Sequence, residues 1–179
     1  MERNIDRVLI SEAELKAKVE ELGAAITKDY EGKPLLLVGI LKGSMMFMAD
    51  LMRAIKINCK IDFMSVSSYG SGTQTSGQVR IILDLNKPIK DYDILIVEDI
   101  LDSGVTLSYI KQLLLPRGPK SIRICTLLDK PERRKADIKA DYFGFTIPDA
   151  FVVGYGLDYD EDYRNLPYVG IIKDEAVKK

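Results

Sequence analysis

The sequence predicts an α/β fold in which a central, mostly parallel sheet is covered by helices on both faces. Three observations point that way. The runs Leu35–Ile40, Ile94–Val97 and Ile122–Leu128 are too uniformly apolar for strands with one wet face, and they fit strands buried on both sides. Segments with apolar residues at helical spacing lie between them, as crossovers between parallel strands require. Each run ends in small or charged residues, at the strand end where open α/β sheets gather their ligands. With 179 residues and 46% apolar content the chain can bury one sizeable core, and one domain over residues 1–179 is the expectation.

Ser11 followed by Glu14 forms a capping-box pattern, and Leu15, Val19, Leu22 and Ile26 then recur at helical spacing, so a scaffold helix runs to about Tyr30 before Gly32 and Pro34. Leu35–Ile40 reads as a central strand. The turn Leu41-Lys42-Gly43-Ser44 joins it to a second helix, Ser44–Ile55, whose methionines at 45, 46, 48 and 52 read as core filler. Lys56–Ser67 alternates, with Ile57, Cys59, Ile61 and Phe63 on one side, as a half-solvated strand does. Ser68–Gly77 is small and polar with three glycines, which predicts a mobile loop, and Val79–Leu83 returns as a strand.

The stretch Asp93–Leu107, DILIVEDILDSGVTL, organises the rest. Ile94–Val97 reads as a buried strand, and Glu98, Asp99 and Asp102 follow at its C-terminal end. Ser103, Gly104 and Thr106 then precede apolar residues at helical spacing from Leu107 to Leu115, so they stand where a helix starts and its backbone N–H groups lack partners. Such a turn can cradle a phosphate. Carboxylates beside the cradle suit a ligand that also carries hydroxyls or a bridging metal, such as a phosphorylated sugar. Taken alone, the same turn also fits a capped helix after a solvated strand end. Beyond it, Ile122–Leu128 is a further strand that ends at Asp129 and Lys130. Arg133 and Arg134 read as a solvated basic turn, with a pyrophosphate or interface role as the alternative, and Phe143–Ile172 reads as short strands rich in aromatics.

Composition removes several function classes. Lys plus Arg number 26 against 27 Asp plus Glu, a net charge of −1, so nothing in the overall balance asks for nucleic acid or an anionic membrane. The chain has no histidine, which excludes Ser-His-Asp and Cys-His catalysis and His-ligated zinc; any proton transfer must use a carboxylate, Lys or Tyr. The two cysteines, Cys59 and Cys125, sit in strand-like apolar contexts and read as buried free thiols. No run approaches the ~20 apolar residues of a membrane span and Met1–Ile10 lacks a signal-peptide core, so a cytoplasmic protein is expected.

The string from Asp93 to Leu107 resembles the phosphoribosyl pyrophosphate signature of the type I phosphoribosyltransferases. Together with Leu41-Lys42-Gly43, Leu128-Asp129-Lys130, the run Ile147–Tyr159 and Tyr163-Arg164-Asn165-Leu166-Pro167, it makes the chain similar to the short bacterial members of the hypoxanthine-guanine branch from about Leu35 to Ile172. The resemblance implies a core over about residues 10–142 and a purine-binding hood built mainly from residues 143–172 plus N-terminal residues. It implies transfer of a 5-phosphoribosyl group from phosphoribosyl pyrophosphate to a 6-oxopurine, with Mg²⁺ as cofactor and a homodimer or homotetramer as the working unit.

Roles follow residue by residue from the same resemblance. Glu98 and Asp99 hold ribose hydroxyls and Mg²⁺, and Asp158 faces a second Mg²⁺ and the pyrophosphate. Asp102, Ser103, Gly104, Val105, Thr106 and Leu107 surround the 5-phosphate; Asp102 also reads as the proton-transfer group, because the chain has no histidine and this carboxylate alone stands beyond the strand end. Lys42, Gly43 and Arg164 receive pyrophosphate, while Lys130, Phe151, Val152 and Asp158 form the purine site. Ser68 and Tyr69 open the loop that closes over the site, and the peptide ahead of Lys42 is associated with a cis bond. One departure stands out: Val105 fills a position where much of the wider superfamily has Lys or Arg, so phosphate binding rests on backbone N–H groups and the Ser103 and Thr106 hydroxyls. Two rivals share the fold: an RNA-binding regulator of the pyrimidine-attenuator type, and a phosphoribosyltransferase for xanthine, adenine or uracil.

Overall fold

A computed structural model describes residues 2–68 and 79–177 of the chain. In chain order these form β1 (Ile5–Ile10), α1 (Glu12–Asp29), β2 (Leu35–Leu41), α2 (Met45–Ala54), β3 (Cys59–Ser68), β4 (Val79–Leu83), β5 (Asp93–Leu101), α3 (Val105–Leu114), β6 (Ser121–Asp129), β7 (Tyr142–Thr146), β8 (Val152–Val153) and β9 (Val169–Ile172). The main sheet has the order β4-β3-β2-β5-β6-β7, parallel throughout except for the edge strand β4. A second, antiparallel sheet has the order β1-β9-β8.

The alternation of side chains along each strand sorts the core into two layers. Leu35, Leu37, Leu95, Val97, Cys125 and Leu127 pack on one face with Leu15, Val19, Leu22 and Ile26 of α1 and Phe47, Met48 and Leu51 of α2. Leu36, Val38, Ile40, Ile94, Ile96 and Ile124 pack on the other with Leu107, Ile110 and Leu114 of α3. The apolar runs are therefore continuous because both faces are dry. Helix α1 starts as expected: the Ser11 hydroxyl accepts from the Glu14 N–H, and the Glu14 carboxylate accepts from the Ser11 N–H at 2.8 Å.

Several expectations need correction. Residues 5–10 form β1, which no periodicity announced, because most of the strand is exposed and its order comes from pairing with β9 at the far end of the chain. Strand β5 runs on to Leu101, so Glu98 and Asp99 lie inside the strand rather than beyond it. Of the methionines in α2, Met48 is buried, whereas Met45 and Met52 are exposed and fill no core. Cys125 is a buried free thiol, but Cys59 is only half-buried. Of the predicted loop, Ser68 ends β3, and Tyr69–Gly77 lies outside the described residues.

The parallel register aligns the strand ends that carry the chemistry. Gly39 of β2 stands opposite Val97, and Leu101 stands opposite Asp129 of β6. The turn after β2, the acidic end of β5 and the Asp129-Lys130 end of β6 are thereby gathered at one end of the sheet, where residues 147–149 also arrive through Ile147 N–H bonding the Asp129 carbonyl at 3.0 Å.

Burial on both faces of β5 sets a test. Leu95→Ala and Ile96→Ala delete adjacent side chains that point into opposite layers, and each is expected to destabilise the protein by about 2 to 5 kcal/mol in denaturant titration. If one of the two proved nearly silent, that face would be wet and the three-layer packing wrong.

Candidate active site

Glu98 and Asp99 are adjacent in β5 and both are partly buried, the Asp99 N–H donating to Glu98 Oε1 at 3.1 Å and the Ile100 N–H to Asp99 Oδ1 at 2.7 Å. Burial first, and then the neighbouring Asp99 charge, push the Glu98 carboxyl well above the usual carboxylate range. Burial raises Asp99 as well. The pair is crowded from the side by the turn after β2, where the Leu41–Lys42 peptide is cis. A Cβ added to Gly43 would sit 1.7 Å from Asp99 Oδ2, and one added to Gly156 would sit 2.1 Å from the Gly43 carbonyl. At Gly156, with φ 102 and a backbone atom in the way, only glycine fits, whereas at Gly43 a side chain would displace the Asp99 carboxylate, so the β2 turn meets the C-terminal segment at backbone level and the β5 acid at its side chain.

Beyond β5 the chain turns into α3 through Gly104, the N-cap residue, at φ 79. No side chain caps this helix, although Val105 N–H approaches Ser103 Oγ at 3.4 Å. Ser103 Oγ is therefore a long, weak acceptor at the helix start, as the capped-helix reading allows, while the N-cap residue Gly104 itself supplies no side-chain cap. Val105 is exposed, and Ser103 and Thr106 are part-buried beside it. Asp102 precedes the cradle, with Oδ1 buried and without a hydrogen bond; Arg133 Nε comes no nearer than 3.5 Å.

The other cationic residues meet through a carboxylate that sequence reasoning missed. Glu161 accepts from Lys42 Nζ at 2.7 Å and pairs with Arg164 Nη2 at 3.3 Å, so the two residues expected at pyrophosphate share one acid. Arg164 also pairs with Asp158 at 2.9 Å and donates to the Gly156 carbonyl at 2.8 Å, leaving its Nε buried and without a partner. Asp160, Glu161 and Tyr163 all have positive φ, of 53, 67 and 74, so this acid-rich turn is held in a conformation that side chains resist. The signal in sequence was only the acidic run Asp160–Asp162 between two expected site residues.

Lys130 is only 5% exposed and has Asp149 Oδ1 at 3.7 Å, so it is not a solvated lysine. Phe151 is exposed, its ring edge-on to Tyr159 with centroids 5.4 Å apart, while Val152 is buried in β8 opposite Ile171. Arg133 is exposed and pairs with Asp102 and Asp149. Arg134 corrects the solvated-turn reading: it is largely buried and ion-paired with Asp129. Cavity size alone would misplace the site, because a cavity of about 850 Å³ lies between α1, α2 and residues 164–167 and holds none of the β5 acids.

A family model described as a phosphoribosyl transferase domain matches residues 9–160. The hypoxanthine-guanine phosphoribosyltransferase of Bacillus subtilis is 58% identical over 173 residues, covering 97% of this chain and 96% of that protein. The protein of the same name from Lactococcus lactis is 55% identical over 179 residues, covering 100% and 97%. A crystal structure of a hypoxanthine phosphoribosyltransferase from Staphylococcus aureus superposes with a TM-score of 0.97 at 55% identity, over 100% of this chain and 97% of the other.

The raised Glu98 carboxyl has a stability consequence. The folded state holds the proton more tightly than the unfolded chain does, so stability of the ligand-free protein falls as pH rises above the ordinary value of 4.5. Glu98→Gln is expected to raise Tm at neutral pH, by about 2 to 4 °C for each kcal/mol of charge burial relieved, with the gap closing in acid. A variant melting below wild type at pH 7, by differential scanning calorimetry, would refute the crowding.

Proposed function

We propose that this chain, which belongs to the phosphoribosyltransferase family, is a purine salvage enzyme that transfers the 5-phosphoribosyl group of phosphoribosyl pyrophosphate to hypoxanthine or guanine, giving IMP or GMP and pyrophosphate. The observation that carries the proposal is the gathering, at one end of one sheet, of an uncapped helix start, a crowded pair of acids and a buried lysine. These meet the separate needs of a 5-phosphate, a ribose and a 6-oxopurine.

Displacement at the anomeric carbon passes through an oxocarbenium-like state while a polyanion departs. In the proposed site the open N–H groups from Gly104 to Leu107 and the Ser103 and Thr106 hydroxyls hold the 5-phosphate, with Val105 contributing backbone alone. Glu98 and Asp99 accept from the ribose hydroxyls, and the crowding of their charges suits a bound cation. Among the described residues no three acids or thiols converge on a metal, so Mg²⁺ would sit on two carboxylates plus ligand oxygens, a common arrangement for that ion. There it would neutralise charge on the donor and leaving group. Asp158 is assigned the face toward the pyrophosphate and a second Mg²⁺.

Lys42, Gly43 and Arg164 take up the pyrophosphate, for which the two cations must exchange the Glu161 carboxylate for phosphate oxygens. Phe151 stacks on the base, whose flat apolar face it covers without demanding hydrogen bonds, and Val152 binds it through backbone. With no histidine available, Asp102 moves the proton at the imidazole nitrogen of the purine; its buried Oδ1, which accepts no hydrogen bond and has only the Arg133 ion pair at 3.5 Å, supports that role. Ser68 and Tyr69 belong to the proposed closing loop. The proposal extends to a cytoplasmic homodimer or homotetramer, and the near-neutral charge gives no ground for a nucleic-acid or membrane partner.

The reaction is tested by incubating hypoxanthine, guanine, xanthine, adenine and uracil with phosphoribosyl pyrophosphate and Mg²⁺ and measuring nucleotide formed. Lys130 has three donors and no acceptor, so it should favour the exocyclic oxygen of a 6-oxopurine over the amino group of adenine by ~10⁴ or more. That preference is expected to collapse in Lys130→Gln, whose amide can donate or accept. An unchanged ratio of kcat/KM values would move discrimination elsewhere in the hood. Asp102→Asn is expected to lower kcat by roughly 10² to 10⁴ with the fold retained, and near-wild-type turnover would end its assignment.

A further inference from the structure

The phosphate cradle lacks the devices that usually hold such a loop. Its helix has no side-chain cap, its turn passes through Gly104 at φ 79, and its exposed position 105 is a valine. What lies beneath it is Arg134. The Arg134 Nε donates to the Asp102 carbonyl at 3.0 Å and Nη1 to the Ile138 carbonyl at 2.7 Å, while Nη2 reaches the Leu101 carbonyl at 3.4 Å and pairs with Asp129. The N–H groups of Lys135 and Ala136 both donate to the Ser103 carbonyl, at 2.9 and 3.1 Å. A Cβ on Gly104 would strike Ile138 Cγ2 at 2.5 Å and Arg134 Cδ at 3.0 Å, so the arginine stem is in contact with the cradle turn itself.

We propose that Arg134 is the positioning residue of this site: from below, its guanidinium fixes the turn Leu101–Gly104 against the Asp129 end of β6, and so sets both the open N–H groups for a 5-phosphate and the aim of the Asp102 carboxylate. This rests on the phosphoribosyltransferase reading above and adds to it the element that orders the cradle. The residue type follows from the geometry. Four acceptors from three chain segments surround one planar cation, and only a guanidinium has five donors fixed in a fork wide enough to meet them. A lysine keeps the charge and much of the stem but presents a single point from which the Asp102, Leu101 and Ile138 carbonyls cannot all be reached. Arg134 touches neither Lys42 nor Arg164, which bind each other's carboxylate partner across the site. Its effect should therefore divide the ligands: those with a 5-phosphate depend on it, and free pyrophosphate does not.

The test is calorimetric titration of the full chain with IMP and, separately, with Mg²⁺ and pyrophosphate, in wild type, Arg134→Lys and Arg134→Ala, with Tm measured alongside. Misplacing a cradle by about 1 Å is enough to cost two orders of magnitude, so IMP is expected to bind about 10- to 100-fold more weakly to both variants, with pyrophosphate within about twofold of wild type. Added ethylguanidinium should recover IMP binding in Arg134→Ala. Equal losses for IMP and pyrophosphate, unaltered IMP binding in Arg134→Lys, or no recovery with ethylguanidinium would overturn the positioning role. Wild type that bound neither IMP nor phosphoribosyl pyrophosphate would overturn the enzyme reading itself, a result distinct from any of these.

Discussion

Two like charges brought into one small volume are the constraint on which the site depends. Glu98 and Asp99 are neighbours on a strand, and both are partly buried at the end of the sheet, close enough for the Asp99 charge to raise the Glu98 carboxyl. The chain closes round them with backbone. Gly43 abuts the Asp99 carboxylate, Gly156 abuts the Gly43 carbonyl, and Arg164 bonds the Gly156 carbonyl. A side chain at 156 would open this stack, and one at 43 would displace the Asp99 carboxylate. The close approach explains why a strand-end turn, a central strand and a segment over a hundred residues later act as one unit.

Carboxylates held at raised pKa are a cost to the ligand-free protein, and the site carries other costs of the same kind. The start of α3 forgoes a side-chain cap, which ordinarily contributes about 1 kcal/mol. Tyr155, Asp160, Glu161 and Tyr163 occupy left-handed backbone at about 1 kcal/mol or more each. Asp102 Oδ1 and Arg164 Nε are buried without hydrogen bonds. A structure selected for stability alone would remove these features. All of them lie around the proposed ligand site, and strained backbone and unmet polar groups tend to collect at such sites.

Glu161 shows how the site remains neutral in the meantime. Its carboxylate lies between Lys42 and Arg164, where an anionic ligand is proposed. The pairs are mostly exposed and worth little, which keeps exchange for phosphate oxygens cheap. Arg134 is the opposite case: its bonds are part-buried and convergent, and all of them run to chain atoms around the turn before α3.

The sequence by itself determined the layers and the place where a helix starts after the β5 acids. Doubly apolar runs, the Ser11-Glu14 box and the acids before Ser103-Gly104 are local patterns, and period and residue type suffice to read them. It also marked Lys42, Lys130, Phe151 and Arg164 through the family resemblance, though not the company each keeps. Tertiary structure alone decided the rest. Strand β1 exists because β9 pairs with it. Arg134 is structural and Arg133 is not, although adjacent arginines look alike until three chain segments converge on one of them. Glu161 reaches Lys42 across 119 positions. Hydrogen-bond partners and burial are properties of distant residues brought together, and no local period encodes them.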